Sequence, residues 1–181
     1  MIDLEIIEEC RNGNRQKFRE VVRTVSPFAY SVAFRMLGDE ESAKDIVQES
    51  LITMWENMKR IRSADAFKTW VYRIVVNKCY DQMRKGKRES EFRPDEQTWM
   101  VISNHMSHEP ASELENSETA RAIKLLTEKL SPRQKAVFIL SDLEEMTSDE
   151  ISAITGMSKR NIKANLFYAR KSIRGMISKY I

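Results

Sequence analysis

The chain has few of the residues that cross-link, bend or break a backbone. Its 181 residues include two cysteines, four prolines and five glycines. Cys10 and Cys79 are far apart and have no CxxC partner, so we expect two buried thiols in a reducing compartment. A sequence poor in glycine and proline but rich in Leu, Ile, Glu, Lys and Arg favours helices joined by short turns.

Long apolar runs and catalytic motifs are also missing. No apolar run approaches the roughly 18 residues of a membrane-spanning helix. The start, MIDLEIIEEC, is acidic where a signal peptide is basic, so we expect a cytoplasmic protein without membrane insertion. There is no glycine-rich phosphate loop and no nucleophile elbow. His105 and His108 have no neighbouring cysteine and no helix to orient them, which argues against a metal site. The sequence therefore predicts a non-enzyme with no cofactor and no metal.

Charge divides the chain into three segments. Residues 1–88 hold 17 Lys and Arg against 13 Asp and Glu, residues 89–118 hold one against eight, and residues 119–181 hold 12 against six. Two basic segments suggest a polyanionic partner, which an acidic spacer would avoid. The spacer contains Pro94 and Pro110 and has no sustained helical or strand period. It is therefore predicted to be a flexible linker between two domains.

Helix-start signals divide the first segment further. Apolar spacing predicts a helix over residues 14–25. Ser26 followed by Pro27 is typical of an N-cap and first helical position, so a new helix is predicted to begin there. Asp39 is expected to cap another helix that runs to about Met58.

The helix after Asp39 carries a second, mostly acidic face. Asp45, Gln48, Glu49, Ile52 and Glu56 recur on it at helical spacing. Spacing alone leaves two interpretations open, a solvated exterior and a docking surface. If the face docks, its partner should be basic.

Residues 65–88 mix aromatic, β-branched and basic side chains. Phe67, Trp70, Val71, Ile74 and Val75 recur at helical spacing, so a helix with a buried stripe is predicted. The other faces carry cations, rings and amides: Lys68, Thr69, Tyr72, Arg73, Asn77 and Tyr80. Such a mixture suits unstacked, single-stranded bases, although the largest aromatics are equally compatible with the core.

The sharpest local pattern lies in the third segment. Thr147 and Glu150 form a capping box, Gly156 can end that short helix, and Ser158 can cap a longer one. A short helix, a three-residue turn with glycine and a longer helix are typical of a helix-turn-helix. From Lys159 to Lys179 there are seven basic residues and no acid. The outward positions are Arg160, Asn161, Lys163, Ala164, Phe167 and Lys171. This face predicts DNA binding; the alternative is a solvated basic face on an ordinary bundle.

Three blocks in this order resemble a known family. RMLGDEESAKDIVQESLITMW, FKTWVYRIVVNKCYDQMRKGKR, and LSPRQKAVFIL followed by the helix-turn-helix are similar to bacterial RNA polymerase sigma factors of the small extracytoplasmic-function group. The resemblance implies an all-α fold with two small helical domains, a region 2 bundle and a region 4 helix-turn-helix, joined by the flexible acidic linker. It also implies a function in promoter recognition and transcription initiation.

The resemblance implies partners as well. They are core RNA polymerase, contacted at the clamp helices of the largest subunit and the flap of the second-largest, and promoter DNA. An anti-sigma factor is the expected regulator, in a stress or signal response. The linker resembles the segment that threads toward the polymerase active centre.

Site residues follow from the same resemblance. The implied core polymerase contacts are Asp45, Gln48, Glu49 and Ile52. The implied contacts to the promoter −10 element, including a loop that captures a flipped base, are Ile61, Arg62, Ser63, Asp65, Lys68, Trp70, Tyr72, Arg73 and Asn77. The implied contacts to the −35 element are Ser158, Arg160, Asn161, Lys163, Ala164, Phe167, Tyr168 and Lys171.

Two other classes of protein remain compatible with the residues themselves. A stand-alone helix-turn-helix repressor or activator would bind duplex DNA selectively without polymerase. An adaptor or structural helical protein would show only weak, salt-sensitive DNA affinity.

Overall fold

All regular structure in the described part of the chain is helical. The computed structural model describes residues 2–61, 63–86 and 123–178, apart from the side chain of Asp65. Seven helices have defined bounds: α1 Leu4–Arg11, α2 Arg15–Leu37, α3 Glu40–Asn57, α4 Ala64–Gly86, α5 Pro132–Phe138, α6 Ser148–Thr155 and α7 Lys159–Ile177. Met58–Arg60 form a 3₁₀ turn, Ile139–Leu143 a π turn, and residues 123–127 a further helical segment. The predicted all-α class is confirmed, whereas the predicted linker 89–118 lies outside the described residues.

Side-chain caps set the ends of the first helices. The Oδ1 atom of Asn14 accepts the N–H groups of Gln16 and Lys17 at the start of α2. Gly38 ends that helix with a left-handed φ of 65°, a conformation that glycine adopts without steric cost. Asp39 then accepts the N–H of Ser42 at 2.9 Å and caps α3, as its sequence position predicts.

The predicted helix break at Ser26 and Pro27 is wrong. A single helix, α2, runs from Arg15 to Leu37 with Pro27 inside it. The cap assignment fails because the Ser26 hydroxyl points backwards and donates to the carbonyl of Val22 at 2.8 Å. Pro27 costs the helix one hydrogen bond, and burial of Val21, Val25 and neighbours further along α2 outweighs that loss.

Helices α2, α3 and α4 pack on one another to form the first bundle, with α1 against α2. The rings of Phe18 in α2 and Trp55 in α3 pack against each other at a centroid distance of 4.9 Å. Val21, Ala33 and Met36 of α2 are fully buried. Burial of this kind stabilises a valine or methionine side chain by roughly 1.5–3 kcal/mol relative to exposure.

Helices α5, α6 and α7 form the second bundle. A capping box of Ser131 with Gln134 starts α5, and the predicted capping box of Thr147 with Glu150 starts α6. Ile154 of α6 and Ile162 of α7 are almost fully buried where the two helices meet.

The two bundles share a continuous hydrophobic core, which the sequence did not indicate. Helix α4 packs against α5 and α6 as well as against α2 and α3. Buried residues of both bundles belong to one cluster. A further link joins the bundles where Lys124 donates to the carbonyl of Gly38 at 3.2 Å.

Candidate nucleic-acid interface

The turn between α6 and α7 is fixed by its own polar groups. Gly156 adopts a left-handed φ of 72° and ends α6. The hydroxyl of Ser152 donates to the carbonyl of Met157 at 2.8 Å. Ser158 then accepts the N–H of Asn161 at 3.3 Å and begins α7. The crossing of α6 and α7 is thereby set in the manner of a helix-turn-helix.

The outer face of α7 leaves two large rings open to solvent. Phe167 is 63% exposed and Tyr168 is 57% exposed. Their rings meet edge to face at 5.5 Å, so each supports the orientation of the other. All the predicted −35 residues lie on exposed positions of this helix or its cap: Ser158, Arg160, Asn161, Lys163, Ala164, Phe167, Tyr168 and Lys171.

The cations of this bundle divide into paired and unpaired groups. Lys159 contacts Asp149 at 2.6 Å, and Arg170 binds Asp142 with two hydrogen bonds of 2.9 and 2.7 Å. Within the described residues, Lys163 and Lys171 form no ion pair, and both line an open groove of about 780 Å³ beside Phe167. A groove with free ammonium groups around an exposed ring can hold phosphates and apolar base edges.

The predicted polymerase contacts share one face of α3. Asp45, Gln48 and Glu49 are exposed, and Ile52 is 52% exposed. Glu49 also pairs with Lys78 of α4 at 3.1 Å. The face therefore combines exposed carboxylates with one apolar side chain, which suits a partner surface that carries both basic and apolar groups.

Ile61 and Ser63 are the described residues between the 3₁₀ turn and α4. Ile61 is buried, at 7% exposure, so its side chain belongs to the core in this structure. Ser63 accepts the N–H of Ala66 at 3.2 Å and helps to start α4. Arg62 and the side chain of Asp65 lie outside the described residues, and the proposed base-capturing loop is therefore not described here.

The predicted −10 residues on α4 divide into two groups. Lys68, Arg73 and Asn77 are exposed, and Trp70 is half-buried against Phe67. At 3.6 residues per turn, Lys68 lies about 140° around α4 from Arg73 and about 180° from Asn77, so the exposed members do not share one face of the helix.

Tyr72 does not lie on the outward face where the sequence suggested it. Its side chain is 5% exposed, its ring stacks on Phe28 at 5.1 Å, and its hydroxyl donates to Glu144 at 3.4 Å. Burial, followed by the charge of Glu144, raises the pKa of Tyr72 to about 12. The physical reason is that the second bundle covers this side of α4.

Sequence reasoning missed the residues that join the bundles. Arg35 of α2 meets Glu144 at 2.5 Å and donates to the carbonyl of Leu143 at 3.3 Å. Lys135 of α5 is 7% exposed, and its desolvation lowers its pKa to about 8. Burial raises the pKa of the Cys79 thiol to about 12. Nothing in the local sequence distinguishes Glu144 or Lys135 from ordinary surface charges.

Comparison with known proteins agrees with this geometry. Residues 21–89 match the family Sigma-70 region 2, and residues 120–173 match Sigma-70, region 4. The chain is 27% identical to the ECF RNA polymerase sigma factor SigW of Bacillus subtilis, over 93% of this chain and 92% of that protein. It is 30% identical to a probable RNA polymerase sigma factor of Haemophilus influenzae, over 79% of this chain and 80% of the relative.

A solved structure shares the fold. The sigma factor RpoE in complex with the anti-sigma factor NepR, from Bartonella quintana, superposes with a TM-score of 0.62 at 20% identity. The match covers 90% of this chain and 98% of that one.

A helical bundle followed by a capped helix-turn-helix, each matching its own sigma region, defines a transcription initiation factor. The chain belongs to the extracytoplasmic-function RNA polymerase sigma factors. Among the residues that the structure describes, no helix is long and apolar enough to cross a membrane.

Proposed function

We propose that the chain binds core RNA polymerase through α3, reads the −35 element through α7, and reads and opens the −10 element through α4. The outer face of α7 carries the proposal, because it has no acidic residue, its Lys163 and Lys171 form no ion pair within the described residues, and its Phe167 is exposed. The chain is proposed to act without catalysing a reaction itself and to work in the cytoplasm. Residues 1–88 and 119–181 are the proposed functional domains.

The −35 contact has two components. Lys163 and Lys171 would neutralise phosphates, which gives salt-dependent affinity without sequence information. Asn161 and Phe167, which lie on the same exposed face, would meet base edges and thymine methyl groups in the major groove.

The −10 contact uses Lys68, Arg73 and Asn77, which are already exposed. Cations near single-stranded DNA hold its phosphates, and an amide can bond to an unpaired base edge. Extruding a base costs a few kcal/mol, and contacts from these residues and from the loop before α4 must offset that cost.

Control by an anti-sigma factor is the third part of the proposal. Its support is the fold shared with a sigma factor that was solved with its anti-sigma factor. The identity of the regulator and its contact residues are left to experiment.

Charge reversal on α3 tests the polymerase contact. We expect the double variant Asp45→Lys, Glu49→Lys to weaken binding to purified core polymerase at least about tenfold, because two contacts change from attraction to repulsion. Fluorescence anisotropy of a labelled chain measures this affinity.

Glu5→Lys, Glu8→Lys is the matched control, because it makes the same charge change at two exposed positions of α1. Equal affinity of the Asp45→Lys, Glu49→Lys chain and the Glu5→Lys, Glu8→Lys chain would remove α3 from the interface. Circular dichroism of each variant excludes unfolding as the cause of a loss.

A further inference from the structure

One cluster of positive charge takes no part in the contacts assigned to α3, α4 and α7. Residues 11–24 hold five Lys and Arg but one acid, a surplus of four that equals the surplus of the whole segment 1–88. Three of these cations, Arg15, Arg19 and Arg23, recur every four residues along the first half of α2, and all three are exposed. We call these three residues the arginine row.

The hydrophobic core turns the arginine row towards solvent. Val21 and Val25 of α2 are fully buried, and each lies two residues after an arginine of the row. Two residues turn a helix by about 200°, so Arg19 and Arg23 lie on nearly the opposite side of α2 from the buried valines. Successive arginines are about 6 Å apart along the helix axis, which makes the row about 12 Å long.

The nearby carboxylates are directed to a different cation. Glu20, the one acid of residues 11–24, pairs with Lys17 at 3.2 Å. The hydrogen bond and charge of Glu20, followed by the charges of Glu5 and Glu9 in α1, raise the pKa of Lys17. Lys17 lies two residues before Arg19 and therefore on another side of the helix. Within the residues that the structure describes, the arginine row forms no ion pair.

The arginine row opposes the stability of the helix that carries it. Like charges four residues apart repel each other on a helix surface, and the row contains two such pairs. Arg15 is also the first residue of α2, whose first turn has no acid, although the positive end of the helix dipole favours acidic residues there. An anionic partner that binds the row would relieve both effects.

The composition of this surface favours phosphate groups over a protein partner. Protein interfaces are poor in charged residues at their centres and rich in apolar side chains, whereas DNA interfaces are polar and strongly positive. No large apolar side chain between residues 11 and 27 is exposed, in contrast to the α3 face with its exposed Ile52. A guanidinium group also presents paired N–H donors that match the oxygens of a phosphate.

We propose that Arg15, Arg19 and Arg23 bind the phosphodiester backbone of promoter DNA, independently of its sequence, as a third DNA contact in addition to α4 and α7. The inference rests on the proposed function in that it assumes a chain carried to promoter DNA, and it goes beyond that function because α2 has no partner in it. Phosphate contacts add affinity and position the protein but carry no sequence information. The arginine row therefore strengthens binding to different promoters by a similar factor.

The salt dependence of DNA affinity tests the arginine row directly. The variant Arg15→Gln, Arg19→Gln, Arg23→Gln removes three charges, and glutamine has nearly the helix propensity of arginine. Each duplex phosphate that a cation neutralises makes the slope of log affinity against log salt concentration more negative by about 0.9. With holoenzyme and a promoter duplex that the wild-type chain transcribes, the slope for the variant should therefore be less steep by about 2.7. Filter binding at several salt concentrations measures both slopes.

The matched control is Lys44→Gln, Lys129→Gln, Arg133→Gln. It removes the same charge at three exposed positions to which no DNA contact is assigned, so its slope should equal that of wild type. A second control changes the DNA instead of the protein. Scrambling the −35 element should leave the difference in slope between wild type and the arginine-row variant unchanged, because both duplexes present the same phosphates.

Thermal unfolding of the free chain separates a DNA contact from a structural role. Loss of repulsion within the arginine row should leave the Tm of the triple variant equal to or above that of wild type, while the DNA affinity of its holoenzyme falls. A row that stabilises the fold would give the opposite result, a Tm below that of wild type. Affinity for core polymerase, measured separately with a labelled chain, should be the same for both proteins.

Four results would overturn the inference. The first two are a salt slope equal to that of wild type and a change in slope that the control variant shows equally. The third is a lowered Tm. The fourth is weaker binding to core polymerase with unchanged DNA affinity of the assembled holoenzyme, which would assign the arginine row to a protein partner. Failure of the proposed function is distinguishable, because the wild-type holoenzyme itself would then start no transcripts.

Discussion

Replacement of Lys135 by methionine should stabilise the protein. Lys135 is 7% exposed in the contact between α5 and α4. Methionine has a similar length and no charge, so the substitution removes the desolvation cost while filling nearly the same volume. The other groups that act on this charge are Lys124, Glu128 and Cys79, and all three remain in the variant.

The size of the effect follows from the lysine pKa. Burial lowers it from 10.5 to about 8. A difference of about 2.5 pKa units corresponds to about 3 kcal/mol at neutral pH, at about 1.4 kcal/mol per unit. The wild-type chain bears this cost while Lys135 is charged in both the folded and the unfolded state.

The contribution of Lys135 to the free energy of unfolding depends on pH with a definite sign. Between pH 8 and 10.5 the unfolded state binds more protons at this residue than the folded state, so the Lys135 contribution to stability rises with pH. The advantage of Lys135→Met should therefore shrink from about 3 kcal/mol near pH 7 to about 1.5 kcal/mol near pH 9.5.

Urea denaturation of wild type and Lys135→Met, at about pH 7 and about pH 9.5, measures the difference between their free energies of unfolding. Comparison of variant with wild type removes the contributions of Tyr72 and Cys79, whose pKa values are also shifted. An advantage that stays constant with pH would show that the lysine charge is not buried in solution. A destabilised variant would show that the ammonium group makes favourable contacts instead.

Three further predictions concern α7, its turn and α4. Phe167→Ala should weaken binding of holoenzyme to −35 duplex about tenfold in a filter-binding assay, whereas Leu4→Ala, which truncates another exposed apolar residue, should have no effect; equal losses would refute the placement of α7. Gly156→Ala should lower the free energy of unfolding by about 1 kcal/mol, because its φ of 72° strains a residue with a Cβ while the space around it is open; unchanged urea stability would contradict this. Asn77→Ala should slow promoter opening more than initial binding, and a pre-melted promoter should restore transcription; a defect that pre-melting does not restore would instead indicate faulty packing.

Local signals in the sequence predicted the helix ends well. The capping residues Asp39, Thr147 and Ser158 act as the patterns indicated, because each needs only groups within three residues of itself. Ser26 failed because the same residue types that cap a helix can also bond backwards within one. Burial of the residues around Pro27, which is a tertiary effect, favours one continuous helix over a cap at Ser26 and a new helix.

The face of Tyr72 could not be predicted from periodicity. Helix α4 packs on two sides, and spacing alone cannot tell a stripe that faces a second bundle from one that faces solvent or DNA. Glu144 and Lys135 were missed for a related reason, since their partners are far away in the chain. Arg35 and Glu144 are 109 residues apart.

Transcription from genomic DNA fragments with purified core polymerase tests the central claim most directly. With the wild-type chain added, we expect new start sites that share two upstream elements, and Lys163→Ala should reduce their use. If the chain leaves core polymerase unchanged and alone binds closed duplex sites with full selectivity, the account is contradicted.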